Sequence, residues 1–346
     1  MTRARPLTRV ADLVEAGLIT PEDASAREAV AARYAVAITP TIAARIEHPD
    51  DPIARQFLPS PAELDTRPEE SPDPIGDHPH SPLKGLVHRY PDRVLIKLTH
   101  TCPVYCRFCF RREMVGPAGD GNLTEAELDA AFAYIAAHPE IFEVIFTGGD
   151  PLMLSARRIR ALGDRLAAIP HIRAVRWHSR VPIVAPERIT PELARALRFP
   201  GKANYIAIHA NHAREFSSEA KEALARLADH GIVLLGQSVL LRGVNADAQT
   251  LRALFLEMSA NRIVPLYLHH PDLAPGTAHF RLSVRDGQAI HAALRGTLPG
   301  HAIPAYILDL PGGHGKVEIG AQNIEESAPG RLVISDRTGR RHDYAG

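Results

Sequence analysis

From residue 94 to residue 308 the chain alternates short β-branched runs with amphipathic helical windows, and no other property of the sequence restricts its fold as much. The runs fall at 94–99, 144–147, 175–178, 205–209, 233–239, 265–269 and 304–308. The windows fall at 125–137, 156–168, 191–197, 218–230, 248–260 and 284–294. Parallel strands need a long return connection, usually a helix, so this alternation predicts a parallel sheet with crossover helices. Thr124 followed by Glu127 starts the first window well, because that pair forms a capping box that satisfies orphan amide donors. The expected fold is α/β, a partial β/α barrel left incomplete or open, since the runs stop short of the eight of a closed barrel. Chemistry in such a barrel collects at the C-terminal ends of the strands.

Upstream of the barrel the texture differs. Two helical patterns, 10–15 and 21–35, precede a proline- and acid-rich passage at 59–82 that reads as an extended connector. The expected division is a helical extension and connector over 1–84, the barrel over 85–318 and a short C-terminal segment over 319–346. Lys plus Arg and Asp plus Glu number 40 each, so no long-range field points to nucleic acid or an anionic membrane. No apolar run approaches the roughly 20 residues of a membrane span. The opening Met-Thr-Arg-Ala-Arg-Pro lacks the apolar core of a secretion signal, and a cytoplasmic location is expected.

All three cysteines lie in Thr101-Cys-Pro-Val-Tyr-Cys-Arg-Phe-Cys-Phe-Arg-Arg112, directly after the first barrel run. An odd number at such tight spacing argues against a disulfide framework. A structural zinc site is normally closed by four ligands and would need a histidine here. An iron-sulfur cluster fits better, because thiolates hold it and three protein ligands leave one iron open.

Two further motifs stand at strand ends. Phe146-Thr-Gly-Gly-Asp-Pro-Leu152 places adjacent glycines where a ligand can approach the backbone and meet exposed amides. Asp309-Leu-Pro-Gly-Gly-His-Gly-Lys316 is not a phosphate-binding P-loop, which needs a glycine at 310 and Ser or Thr at 317; Leu310 and Val317 stand there. A lysine on a glycine-rich turn suits a Schiff base to pyridoxal phosphate, the glycines leaving room for ring and phosphate.

The three motifs in this order resemble the lysine 2,3-aminomutase family of radical S-adenosylmethionine enzymes. The similarity runs from about His88 to Val317 and includes His88-Arg-Tyr-Pro-Asp-Arg93, His178-Ser-Arg180, Gln237-Ser-Val-Leu-Leu-Arg-Gly-Val-Asn245 and Gly276-Thr-Ala-His-Phe-Arg281. The resemblance implies the partial barrel of the radical S-adenosylmethionine type. It implies Cys102, Cys106 and Cys109 as ligands of a 4Fe-4S cluster, and Gly148, Gly149 and Asp150 as the loop for the methionine amine of S-adenosylmethionine. Phe108 matches an aromatic packed on adenine, and His209 and Gln237 match residues lining the same pocket. Lys316 matches the pyridoxal phosphate lysine, with Arg89 and Arg93 near the phosphate.

It also implies the reaction: conversion of L-lysine to β-lysine through a 5′-deoxyadenosyl radical. A shorter branch of the family supplies β-lysine for modification of elongation factor P, and this sequence carries features of both branches. Arg111 matches the residue that pairs with the substrate carboxylate, and Asp272 and Asp309 match two carboxylates that hold the distal ammonium. Opposite charge at each end of a buried amino acid is physically required, because an unpaired charge is costly to desolvate. Other implied partners are the amino acid itself and an external electron donor of the flavodoxin or ferredoxin type. Zinc-binding family members carry further cysteines; this chain has none left, so any homo-oligomer would assemble without structural zinc.

Overall fold

The computed structural model describes residues 5–116, 121–320, 324–328, 331–335 and 340–345. Nine strands form one sheet in sequence order: β1 (Leu86–Tyr90), β2 (Arg93–Thr99), β3 (Glu143–Gly148), β4 (Ala174–Ser179), β5 (Ala203–His209), β6 (Val233–Val239), β7 (Ile263–His269), β8 (Ala305–Leu310) and β9 (Gly315–Glu318). β2 to β8 are parallel, whereas β1 and β9 add antiparallel edges. The edges approach each other, since the Tyr90 hydroxyl at the end of β1 accepts a 2.8 Å hydrogen bond from the Lys316 amide in β9. The barrel is therefore nearly closed, and the expectation of an incomplete one holds in the sense that no ladder joins β1 to β9.

The crossover helices are Glu125–Ala136, Ala156–Ala167, Pro191–Ala196, Ser218–Asp229, Ala248–Ala260 and Val284–Leu294. The Thr124 capping box forms, with the Glu127 amide donating to the Thr124 hydroxyl at 3.2 Å and the Thr124 amide donating to the Glu127 carboxylate at 2.8 Å. β3 is buried along nearly its whole length, as a strand covered on both faces must be. That requirement explains its unbroken Val-Ile-Phe run.

The antiparallel edges are where the sequence reading fell short. β1 overlaps the His88-Arg-Tyr stretch, and β9 follows a turn at 311–314 that folds Lys316 back beside Asp309. Lys316 is thus the second residue of a hairpin strand. A further three-stranded sheet, β10 (Ile324–Ala328), β11 (Arg331–Ser335) and β12 (Arg341–Ala345), lies in the C-terminal segment. Parts of that segment fall outside the described residues.

The first eighty residues are no loose appendage. Val10, Leu13, Ile38, Ile42 and Phe57 join one apolar core with Val94, Ile96, Val144 and Phe146 of the barrel. The connector contributes two fully buried acids, Glu63 and Asp77, both directed at arginines near the strand ends.

Candidate active site

The cysteine loop leaves β2 and is held mainly by the N-terminal region. Tyr105 donates its amide to Ala37 at 3.0 Å, and Arg107 donates its own to Gln56 at 2.9 Å. The Arg107 side chain, 2% exposed, donates to Glu63 at 2.6–3.0 Å and to the Ala35 carbonyl at 2.9 Å. Arg112 closes the arrangement by donating to the same Glu63 carboxylate and to the carbonyls of Arg107 and Gly276. Burial alone would push the Glu63 carboxyl up, but the charges of Arg107 and Arg112 outweigh it and hold the group ionised.

Cys102, Cys106 and Cys109 all line one cavity of about 160 Å³ at the barrel mouth, with Phe108, Arg111, Gly148, Gly149, Asp150, Arg180, His209 and Gln237. Among the described residues no set of three or more His, Cys, Asp or Glu side chains is arranged around a single metal ion. A cubane cluster takes each thiolate at a different iron, so its ligands stand farther apart than those of one ion, and three thiols spread around a cavity suit it. Burial pushes the Cys109 thiol up to about 11, with the neighbouring Cys106 adding to the shift. Arg180 offsets part of this charge cost by donating to Cys106 Sγ at 2.8 Å while Gln56 and Glu215 accept from its other nitrogen at 2.7 and 2.6 Å.

The glycine pair serves a different purpose from the one its sequence suggests. The Gly149 amide donates to Thr99 and the Asp150 amide to Thr101, so those donors are spent within the protein. A Cβ on Gly148 would stand 2.4 Å from the Thr99 oxygen, and one on Gly149 2.5 Å from the Thr101 oxygen. Glycine is needed there because two backbone segments touch. Asp150 is similarly committed: its carboxylate accepts from Ser179, from the amides of Arg180 and Val181, and from the Leu152 amide, tying the loop after β3 to the loop after β4.

A second cavity, about 260 Å³, adjoins the first and shares His178 and Gln237 with it. Lys316, Arg89, Tyr90, Arg93, Arg176 and Asp77 line it. Arg93 stacks on the Tyr90 ring at 3.8 Å and pairs with Asp92 at 2.7 Å. The expectation that the glycine turn leaves open room is corrected: a Cβ on Gly313 would meet His80 at 2.6 Å, and one on Gly315 would meet the Tyr90 hydroxyl at 2.7 Å. The turn packs against protein, and the room lies on the lysine side.

Lys316 and Asp309 are direct cross-strand partners, which puts their side chains on one face, and the Lys316 ammonium donates to the Asp309 carboxylate. Asp309 also receives Arg89 at 3.4 Å. Burial, and then the charge of Asp309, push the half-buried Asp272 carboxyl up to about 7 against the pull of Lys316, Arg111 and Arg89. Burial, and then the charges of Arg176, Arg111 and Lys316, hold the half-buried His178 well below the usual imidazole range. His178 lies at the junction of the two cavities.

Several buried donors in this region have no protein partner: Arg89 Nε, Arg111 Nε, Arg176 Nε, and one ring nitrogen each of His178 and His209. Buried polar atoms are almost always satisfied, so open atoms lining these two cavities fit a site that ligands complete.

The chain matches the Radical SAM superfamily over residues 96–254. It is 38% identical over 306 residues to the L-lysine 2,3-aminomutase of Fusobacterium nucleatum, covering 88% of this chain and 72% of that protein. The Escherichia coli L-lysine 2,3-aminomutase is 39% identical over 275 residues, 80% of either chain. The chain belongs to the lysine 2,3-aminomutase family of radical S-adenosylmethionine enzymes.

As a member of that family the protein is an isomerase, and membership implies a 4Fe-4S cluster and S-adenosylmethionine. The glutamate 2,3-aminomutase of Clostridioides difficile is 35% identical over 336 residues, 96% of this chain and 79% of that one, so family membership leaves the substrate to be argued from the site. Among solved structures, a radical SAM methyltransferase from Sphaerobacter thermophilus aligns with a TM-score of 0.44 and 19% identity, over 64% of this chain and 67% of that one. Among the described residues no helix is long and apolar enough to cross a membrane.

The sequence reading missed Arg180, Glu215, Glu63 and Asp77. Arg180 was legible only as part of His178-Ser-Arg180, and the three acids stand in stretches without a motif.

Proposed function

We propose that this protein is an L-lysine 2,3-aminomutase, converting L-lysine to β-lysine with a 4Fe-4S cluster, S-adenosylmethionine and pyridoxal 5′-phosphate. The observation that carries the reading is the charge layout around Lys316: two carboxylates, Asp309 and Asp272, gather at the lysine hairpin, whereas Arg111 stands by the cysteine cavity. A diamino acid laid between them meets its carboxylate partner at one end and its ammonium partners at the other. A second carboxylate in place of the ammonium would face Asp309 and Asp272 and be repelled.

Cys102, Cys106 and Cys109 would hold the cluster, and Lys316 with Arg89 and Arg93 would hold pyridoxal phosphate. The cluster with S-adenosylmethionine supplies an electron and a carbon radical able to remove hydrogen, and pyridoxal phosphate supplies an aldehyde that takes an amine covalently. The protein's own groups bind and orient. Because Gly149 and Asp150 have already spent their amide hydrogens, their loop offers acceptors, which suits an ammonium group better than an anion. Neutral His209, its ring held near a pKa of about 3 by burial and then by Arg180, offers an uncharged ring nitrogen to the same cavity. Lys316 donates to Asp309, so the ammonium of the chain stands where the distal ammonium of the substrate is expected. Once the Lys316 nitrogen is engaged elsewhere, Asp309 is released to the substrate.

Residues 85–318 carry this chemistry, and residues 1–84 clamp the cysteine loop. The reading includes a cytoplasmic setting and reduction by a flavodoxin- or ferredoxin-type donor. Anaerobic incubation of reconstituted protein with dithionite, S-adenosylmethionine, pyridoxal phosphate and single amino acids tests it. Chromatography is expected to show β-lysine from lysine and no β-glutamate from glutamate; the reverse pattern overturns the substrate assignment.

A further inference from the structure

Asp77 belongs to the connector, no motif singles it out, and yet it is 3% exposed at the centre of the most cationic part of the site. Its Oδ1 accepts from Arg89 at 3.0 Å, its Oδ2 accepts from Arg111 at 3.1 Å, and Lys97 Nζ stands 3.9 Å away. Burial alone would push this carboxyl up, but the charges of Arg111, Lys97 and Arg89 hold it below the usual carboxylate range. A permanent anion therefore bridges the two arginines already placed at the substrate and cofactor ends of the cavities.

The backbone around Asp77 is fixed with the same care. Its amide donates to Asp73 Oδ1 at 2.8 Å, and its carbonyl accepts from the Ser81 hydroxyl at 2.8 Å. The preceding Gly76 has φ +66, and a Cβ on it would lie 2.2 Å from the Gly313 nitrogen. The turn bearing Asp77 is thus pressed against the turn that leads into Lys316. Thr147 accepts from the other terminal nitrogen of Arg111 at 3.3 Å, so both ends of that guanidinium are held while its Nε keeps no protein partner.

We propose that Asp77 is a positioning residue that fixes the guanidinium groups of Arg111 and Arg89 at one separation, so that the substrate carboxylate and the cofactor's anionic group meet preset cations. Arg89 lies between Asp77 and Asp309, and Asp77 ties it in turn to Arg111. Without Asp77 those cations repel one another and lose the fork orientation that bidentate carboxylate binding needs. The inference rests on reading Arg111 as the carboxylate-binding residue.

The test compares wild type, Asp77→Asn, Asp77→Glu and Arg111→Lys as reconstituted holoenzymes, with lysine binding followed by calorimetry and KM separated from kcat. Asp77→Asn is expected to weaken lysine binding and raise KM by about tenfold, the scale of one charge-assisted hydrogen bond, with kcat changed less than about threefold. Asp77→Glu should restore most of the affinity, which recovery of packing alone would not require. Pyridoxal phosphate binding, read from its absorbance, should weaken in Asp77→Asn as well, through Arg89. If Asp77→Asn does not fold, Asp73→Ala, which loosens the same turn from a less buried position, should raise KM in the same direction. Lysine affinity within about twofold of wild type in the folded variants, or a fall in kcat with KM unchanged, overturns the proposal. If Arg111→Lys also leaves lysine binding unchanged, the reading of Arg111 falls, and this inference with it.

Discussion

At the residue scale, the raised carboxyl of Asp272 makes the acidic end of the site dependent on pH. The folded value of Asp272, about 7, lies above the ordinary 3.8. The fold therefore binds this proton more tightly than the unfolded chain does. Stability from that proton is fully present below the ordinary value and is lost as pH rises through about 7. Substrate binding runs the other way, because only the ionised carboxylate attracts an ammonium. KM for lysine is expected to fall as pH rises through about 7, and Asp272→Asn to flatten that slope while raising KM about tenfold at high pH. An unchanged profile in the variant would assign the titration to another group. Asp309 stood out in the sequence through its motif, but its pairing with Lys316 did not, because the pairing follows from a hairpin register that no local pattern announces.

At the scale of elements, the loops at the strand ends depend on contacts with segments far away in sequence. Gly149→Ala would drive a Cβ to within 2.5 Å of the Thr101 oxygen, and the cysteine loop must move. The expected result is a protein that folds but retains much less iron, checked by iron assay and visible absorbance after reconstitution. Glu63→Gln removes the shared counter-ion of Arg107 and Arg112, both nearly fully buried. Stranding buried charge costs roughly 3–5 kcal/mol, so its melting temperature should drop by several degrees. An equal melting temperature would mean that other groups compensate the two arginines.

The parallel strands and their helices were readable because hydrophobic periodicity and capping residues are local signals. β6 is placed at Val233–Val239 and the later helices at Ala248–Ala260 and Val284–Leu294, as their apolar spacing implies. The edges β1 and β9 were not readable as strands, since each is short and mixes polar with apolar residues without alternation; β1 is buried at Leu86 and Val87, and β9 is exposed after Gly315. The connector misled for a related reason: low apolar content suggested an extended connector, whereas two of its acids, Glu63 and Asp77, are buried as counter-ions.

At the scale of the whole molecule, seven parallel strands bring the cysteine loop, the glycine loop and the end of β4 with His178 to one mouth, and the antiparallel hairpin folds Lys316 over the same side. The two cavities meet at His178 and Gln237. Gln237 is the better target for testing that junction, because β6 holds its backbone while its side chain borders both spaces. Gln237→Ala should leave iron content and the melting temperature near wild type and lower kcat for lysine by at least about tenfold. Loss of iron instead would place Gln237 in support of the cysteine loop.

On the proposed function, the thiol-lined cavity and Lys316 serve one reaction space in which lysine gives up and regains a hydrogen. Anaerobic turnover of lysine with S-adenosylmethionine deuterated at its 5′ carbon, followed by mass spectrometry of the product, measures this most directly. The expected product is β-lysine carrying deuterium. Cleavage of S-adenosylmethionine without β-lysine, or β-lysine free of label, would contradict it.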